Sequence, residues 1–281
     1  QVVTPRHWRA HPQPAVILGT PQSNPLLREL RLDLQALGPQ GYYLANATLR
    51  SQSVIVAAGG ASDGAVNAVY GLLRELGYGF FLGSESVPDT LPAQLPEGPI
   101  KRQPCFTIRG VLPWYNFFNS PTVWDPADHR AFVDQLIRQG ANFVGFHTYD
   151  DEPFAAYPEG AQMRWGARLR NTESPNWGTH PMPAATFAWG TDKLFDADFF
   201  GAATTRMVGD SNRVVQLEQD ILRDALAYGR QRGLRTCLGF EINGDPTNPK
   251  DREIFLKRIN RLLDQYTALD FIWLWQPETQ G

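Results

Sequence analysis

Residues 104–153 read PCFTIRGVLPWYNFFNSPTVWDPADHRAFVDQLIRQGANFVGFHTYDDEP, one complete strand, helix, strand unit with polar residues where each strand stops. Cys105 to Leu112 is a short apolar run holding a single arginine, Arg109, and reads as a strand. Asp125-Pro126 then supplies an N-cap followed by proline, the usual start of a helix. Phe132, Val133, Leu136 and Ile137 recur at helical spacing. Gly140 ends the helix where a left-handed cap is needed. Ala141 to Phe146 is an apolar run interrupted only by Asn142, as expected of a strand buried on both faces. It runs out into His147, Tyr149, Asp150, Asp151 and Glu152. Such a unit implies parallel strands, and where parallel strands are linked by helices the chemistry gathers at the strands' carboxyl ends.

The pattern repeats further on. Arg213 to Gly229 is an amphipathic helix with Val214, Leu217, Ile221, Leu222 and Leu226 on one face, and Gly233 precedes a strand from Arg235 to Phe240 that ends at Glu241. Pro249 to Leu269 is another helix, followed by a strand, Phe271 to Trp275, that ends at Gln276-Pro277-Glu278. Four strands and three helices are thus expected after residue 101. Between them, residues 153–210 have loop character, with Trp165, Trp177 and Trp189 and no sustained periodicity; loops of that length are commonly functional.

Residues 1–100 read as a separate α/β sandwich domain. Ala15 to Gly19 is a strand, Pro25 to Leu37 a helix, Tyr42 to Ala45 and Ser53 to Ala58 two strands, and Gly64 to Leu76 a helix capped by Gly77. Gly59-Gly60 stands between a strand and a helix, where phosphate-binding turns occur, but GGASDGA lacks the dinucleotide spacing and a P-loop lysine. A tight turn explains it better. Leu82 to Pro99 is a proline- and glycine-rich crossing to the second domain, 101–281.

Composition limits the function. The 281 residues are 42% hydrophobic and 20% charged, with net charge −3, so nucleic acid and anionic membranes are not expected partners. No apolar run is long enough for a bilayer span, and no leader is expected at the amino terminus. Cys105 and Cys237, each inside an expected strand, read as two buried structural thiols. Asn46-Ala47-Thr48 fits a glycosylation acceptor, a triplet common by chance. The 8 Trp, 9 Tyr and 16 Phe include many loop aromatics beside Asn, Asp and Arg, an arrangement suited to sugar rings, whose C–H faces stack while their hydroxyls need polar partners.

With an α/β first domain containing YGLLRELGYGFFLGSESVP at 70–88, a proline-rich crossing, and P-x-F-x-x-R-G at Pro104, Phe106, Arg109 and Gly110, the chain resembles the α-glucuronidases and β-N-acetylhexosaminidases among the glycoside hydrolases. The resemblance implies that residues 101–281 are the first half, about four β/α units, of a (β/α)8 TIM barrel, truncated after strand four, since a closed barrel takes ~250 residues. The remainder is expected from the same or another chain. The hexosaminidase arginine that binds hydroxyls of the terminal sugar corresponds to Arg109, and the general acid of both families to Glu278. The hexosaminidase aspartate directly before that acid is Pro277 here, and the aspartate usual after the arginine-glycine pair is Pro113, so an α-glucuronidase-like enzyme is the better match.

Glycoside hydrolysis needs a protonated carboxyl and a second carboxylate as base or nucleophile. Glu278, after an apolar run, is the expected acid; Glu241, with Asn243 beside it, is the second candidate, as catalyst or as sugar ligand. Arg109, Trp114, Asn116, His147, Asp150, Asp151, Trp177 and Trp189 form the expected substrate-binding set, converging on one cleft. His147 with Asp150 and Glu152 also has the donors of a metal site, but hydrogen bonding to hydroxyls is the simpler reading, and neither metal nor cofactor is expected. The expected activity is hydrolysis of polysaccharide or oligosaccharide chains, in an extracellular or periplasmic location. The alternatives are a non-catalytic carbohydrate-binding protein on the same fold and a metal-dependent TIM-barrel enzyme.

Overall fold

The structure, a computed structural model, describes residues 1–34, 37–92, 95, 97–114, 121, 124, 126–148, 153–159, 162–164, 182–183, 199–200, 211–241 and 244–275. The chain divides into two compact units, residues 1–109 with 135–140, and residues 110–134 with 141–281. The boundary expected at 100/101 falls inside a strand, Ile100–Arg102, that pairs with the first unit's sheet, which is why that unit runs on to Arg109.

The first unit is a four-stranded mixed sheet. Strands β1 (Ala15–Gly19), β2 (Tyr42–Leu49), β3 (Gln52–Gly59) and β4 (Ile100–Arg102) lie in the order β1-β3-β2-β4. β1 runs parallel to β3, from Ala15 opposite Val54 to Gly19 opposite Ala58. β2 and β3 form a longer hairpin than the sequence suggests, closing at Leu49 opposite Gln52. Its turn residues, Arg50 (φ 50°) and Ser51 (φ 63°), are both left-handed, the geometry whose twist matches paired strands.

Alternation along β3 feeds two cores. Val54, Val56 and Ala58 pack with Trp8, Ile17, Leu26 and Leu27 on one side; Ala57 packs with Leu44, Ala68 and Leu72 on the other. Helix α1 (Pro5–Ala10) contributes Trp8, and α2 (Pro25–Glu29) contributes Leu26 and Leu27. The helix expected to reach Leu37 stops at Glu29; Arg31 has φ 46°, and Leu30, Leu32 and Leu34 reach the same core without helical geometry.

Helix α3 (Ser62–Glu75) follows the Gly59-Gly60 turn, and the amides that would cradle a phosphate there are already bonded. Gly60 N donates to Gly41 O, while Ala61 N and Gly64 N donate to Pro39 O, all at 3.0 Å. A Cβ on Gly60 or Gly64 would stand 2.3 Å from the carbonyl oxygens of Gly38 and Gly41. These glycines admit a loop, not a ligand.

The second unit is a four-stranded, all-parallel sheet in chain order: β5 (Gly110–Val111), β6 (Phe143–Thr148), β7 (Arg235–Glu241) and β8 (Phe271–Trp275). α4 (Pro126–Arg138), α5 (Ser211–Gln231) and α6 (Pro249–Gln265) connect them. All three helices touch the same face of the sheet. His129 of α4 meets Phe146 at 5.6 Å between ring centroids, Gly229 lets α5 approach Val144 and Thr236, and Phe255 of α6 meets Phe240 at 6.5 Å. On that face Val144, Phe146, Thr148, Thr236, Leu238 and Phe240 are buried. Between α4 and α5, Arg130 forks onto Asp224 (3.0 and 2.7 Å), and Tyr228 and Arg232 bond Asp134, links that lie at or near the surface and fix the register of the two helices more than they stabilise the fold.

The strand expected from Cys105 to Leu112 is only Gly110–Val111, and Cys105 is exposed rather than buried. Cys237 is buried in β7, its thiol pushed up to about 11 by burial. Within 153–210, the described pieces are a turn at Pro153–Ala155 and four short strands that pair as Tyr157–Glu159 with Gln162–Arg164 and Met182–Pro183 with Phe199–Phe200. Phe154, Ala155, Ala156 and Tyr157 are buried; Tyr266 Oη donates to Phe154 O at 2.9 Å and Gln219 Nε2 to Ala156 O at 3.4 Å.

Candidate functional site

The face of the parallel sheet that the helices leave open carries Trp114, Gly145, His147, Cys237, Gly239, Glu241, Phe271, Trp273 and Trp275, every second residue of successive strands. Gly110 pairs with Phe143, and the chain passes through Leu112 and Pro113 to Trp114, which bridges His147; His147 N donates to Pro113 O at 2.9 Å. His147 lies opposite Gly239, and Glu241 opposite Trp275. Two adjacent layers at the carboxyl ends thus hold an indole, an imidazole, a carboxylate and a second indole. Neighbouring strands stand ~4.8 Å apart, which is within reach of a single sugar ring.

The rings have a defined arrangement. Trp114 stacks on His147, with centroids 4.0 Å apart and planes 14° from parallel. Trp275 meets Trp114 edge-on at 5.5 Å and 78°, and His147 at 6.4 Å and 89°. Trp273 lies 5.4 Å from Trp275. Gly239 makes room for this corner: a Cβ there would stand 2.9 Å from His147 Cδ2. His147 is fully buried, and burial brings its pKa down to about 4, so the imidazole is neutral at pH 7. Glu241 and both indoles are partly exposed.

Arg109 belongs to the first unit and directly precedes the strand that begins at Gly110. Its guanidinium donates to Gly140 O through Nε (3.0 Å) and Nη2 (2.9 Å), to Phe106 O (2.7 Å) and to Gln40 Oε1. Partial burial holds its pKa below the usual range. Within the first unit it ties loop carbonyls together. Asn116, Asp150, Asp151, Trp177, Trp189 and Glu278 lie outside the described residues.

Trp275 and Glu218 are absent from the sequence-derived set. Trp275 was legible in FIWLW, where indoles two apart must share a face. Glu218 sits one turn before Leu222 in α5, among the apolar positions that face the sheet; it is 2% exposed, no described residue hydrogen-bonds its Oε1, and burial pushes its carboxyl up to about 8. Among the described residues, no three His, Cys, Asp or Glu side chains gather as a metal site, and no helix is long and apolar enough to cross a membrane.

No family model matches the chain, and no curated protein matches it. Solved structures similar to it include CpGH84B, at 14% identity and TM-score 0.46 over 91% of this chain and 34% of that one. Another is a GH138 enzyme targeting pectin rhamnogalacturonan II, at 10% identity and TM-score 0.45 over 92% of this chain and 30% of that one. The chain spans about a third of the length of each.

Proposed function

We propose that the second unit is the first half of a (β/α)8 barrel and that the protein is a glycoside hydrolase of α-glucuronidase-like type, acting on polysaccharide or oligosaccharide chains. Four parallel strands in chain order with every connecting helix on one face support the barrel reading, because a doubly wound sheet places helices on both faces. The observation that carries the functional reading is Glu241 held in register beside Trp275 at the strand ends, with the Trp114–His147 stack next to them.

In this reading the indoles take the apolar face of a sugar ring, and Glu241 accepts hydrogen bonds from its hydroxyls or serves as the second carboxylate. His147, buried and uncharged, supports Trp114 from beneath. Glu278, three residues beyond Trp275, supplies the proton to the leaving oxygen. The test is a screen of glucuronic-acid-bearing and neutral oligosaccharides for cleavage by the full-length protein, repeated with Glu278→Gln and Glu241→Gln. Cleavage abolished by Glu278→Gln with binding retained supports the assignment. Binding without cleavage in the parent would make this a carbohydrate-binding protein on the same fold, and neither binding nor cleavage would end the carbohydrate reading.

A further inference from the structure

His7 and His11 stand four residues apart at the end of α1, with both side chains exposed and ring centroids 5.2 Å apart. The residues between them hold the turn still. Trp8 is buried and its Nε1 donates to Gln13 O at 2.9 Å, while Arg9 forks onto Glu29 Oε1 at 2.9 and 2.7 Å. Thr4 Oγ1 accepts from His7 N at 3.2 Å, and His11 N donates to the carbonyls of His7 and Trp8 at 3.1 and 3.2 Å. Neither imidazole hydrogen-bonds to a described residue, so their nitrogens remain open to a ligand.

We propose that His7 and His11 form a two-histidine site for a divalent transition-metal ion of the Cu²⁺, Ni²⁺ or Zn²⁺ class, with water in the remaining positions. His7 lies in α1 and His11 caps its end, so the two imidazoles, four residues apart, stand beside the same turn, the sequence spacing by which histidine pairs chelate zinc. The ring centres stand 5.2 Å apart, a separation that two imidazoles sharing one ion through ~2.1 Å bonds can adopt. The turn is already fixed by Trp8 and Arg9, so binding orders little but two side chains. Imidazole suits these ions better than it suits magnesium or calcium, whose preferred donors are oxygens.

The experiment is calorimetric titration of the intact chain with nickel chloride in a non-coordinating buffer at pH 7.5, followed by NMR of the imidazole protons with copper(II). The expected result is one ion per chain, broadening of the His7 and His11 resonances, and at least tenfold weaker binding in His7→Ala and in His11→Ala. Affinity should follow copper over nickel. No heat and no broadening, or nickel binding that survives the His7→Ala/His11→Ala double variant, overturns the proposal.

Discussion

Replacing Glu218 by methionine should stabilise the protein, and increasingly so as pH rises. The carboxyl is 2% exposed on the sheet-facing side of α5 and its pKa is raised from 4.5 to about 8 by burial. Because the folded value exceeds the unfolded one, the folded chain holds a proton that the unfolded chain has released between those two pH values. Stability is therefore fully present below about 4.5 and falls as pH rises toward 8. At ~1.4 kcal/mol per pH unit, the parent loses ~3 kcal/mol between pH 5 and pH 7.5 through this group alone. Methionine has similar volume and nothing to ionise, and it also removes a buried oxygen that no described residue bonds. Denaturant unfolding of parent and Glu218→Met at both pH values isolates the effect, because other titrating groups cancel in the difference. The variant's advantage should be ~3 kcal/mol larger at pH 7.5 than at pH 5. Parallel stability curves, or a variant less stable than the parent at pH 7.5, would refute the reasoning.

His147 should act in the opposite direction. Its pKa falls from 6.5 to about 4 on folding, so its contribution is present above 6.5 and lost as pH falls toward 4, on the order of 3 kcal/mol; His147→Phe should flatten that acid limb in thermal scans. Gly239→Ala puts a Cβ 2.9 Å from His147 Cδ2 and should displace the Trp114 stack, read as a changed near-ultraviolet circular dichroism spectrum and ~1–3 kcal/mol of lost stability. Arg109→Ala leaves the part-buried Gly140 carbonyl without its charged donor and should cost ~1–3 kcal/mol in denaturant titrations while leaving sugar affinity unchanged. A tenfold loss of sugar affinity in that variant would return Arg109 to the site.

The parallel unit was legible because its signals are local and redundant. Gly140 and Gly233 adopt φ 86° and 89° at the helix ends where the sequence places them, and the strands at 235–241 and 271–275 match their apolar runs. The opening strand was misjudged because Phe106 and Ile108 look like strand residues yet lie outside the pairing, where they are exposed. The α2 leucines misled in another way: a period near four also describes leucines that reach a core from a non-helical turn. Ring packing between Trp114, His147 and Trp275 could not be read from the chain at all, because it depends on register between strands far apart in sequence.

The edge strand β8 is open on both sides, with Phe271 41%, Trp273 43% and Leu274 47% exposed. A parallel strand is ordinarily covered on both faces, so these side chains agree with the half-barrel reading. That reading and the sugar site stand on the same register between β7 and β8.

The most direct test of the account is calorimetric titration of an oligosaccharide panel into the parent protein and into Trp275→Ala. The account predicts binding of at least one glycan by the parent and at least tenfold weaker binding by the variant, about 1.4 kcal/mol, at unchanged circular dichroism, since the variant removes the indole on which the ring's apolar face packs. Equal affinity in the two proteins would contradict it.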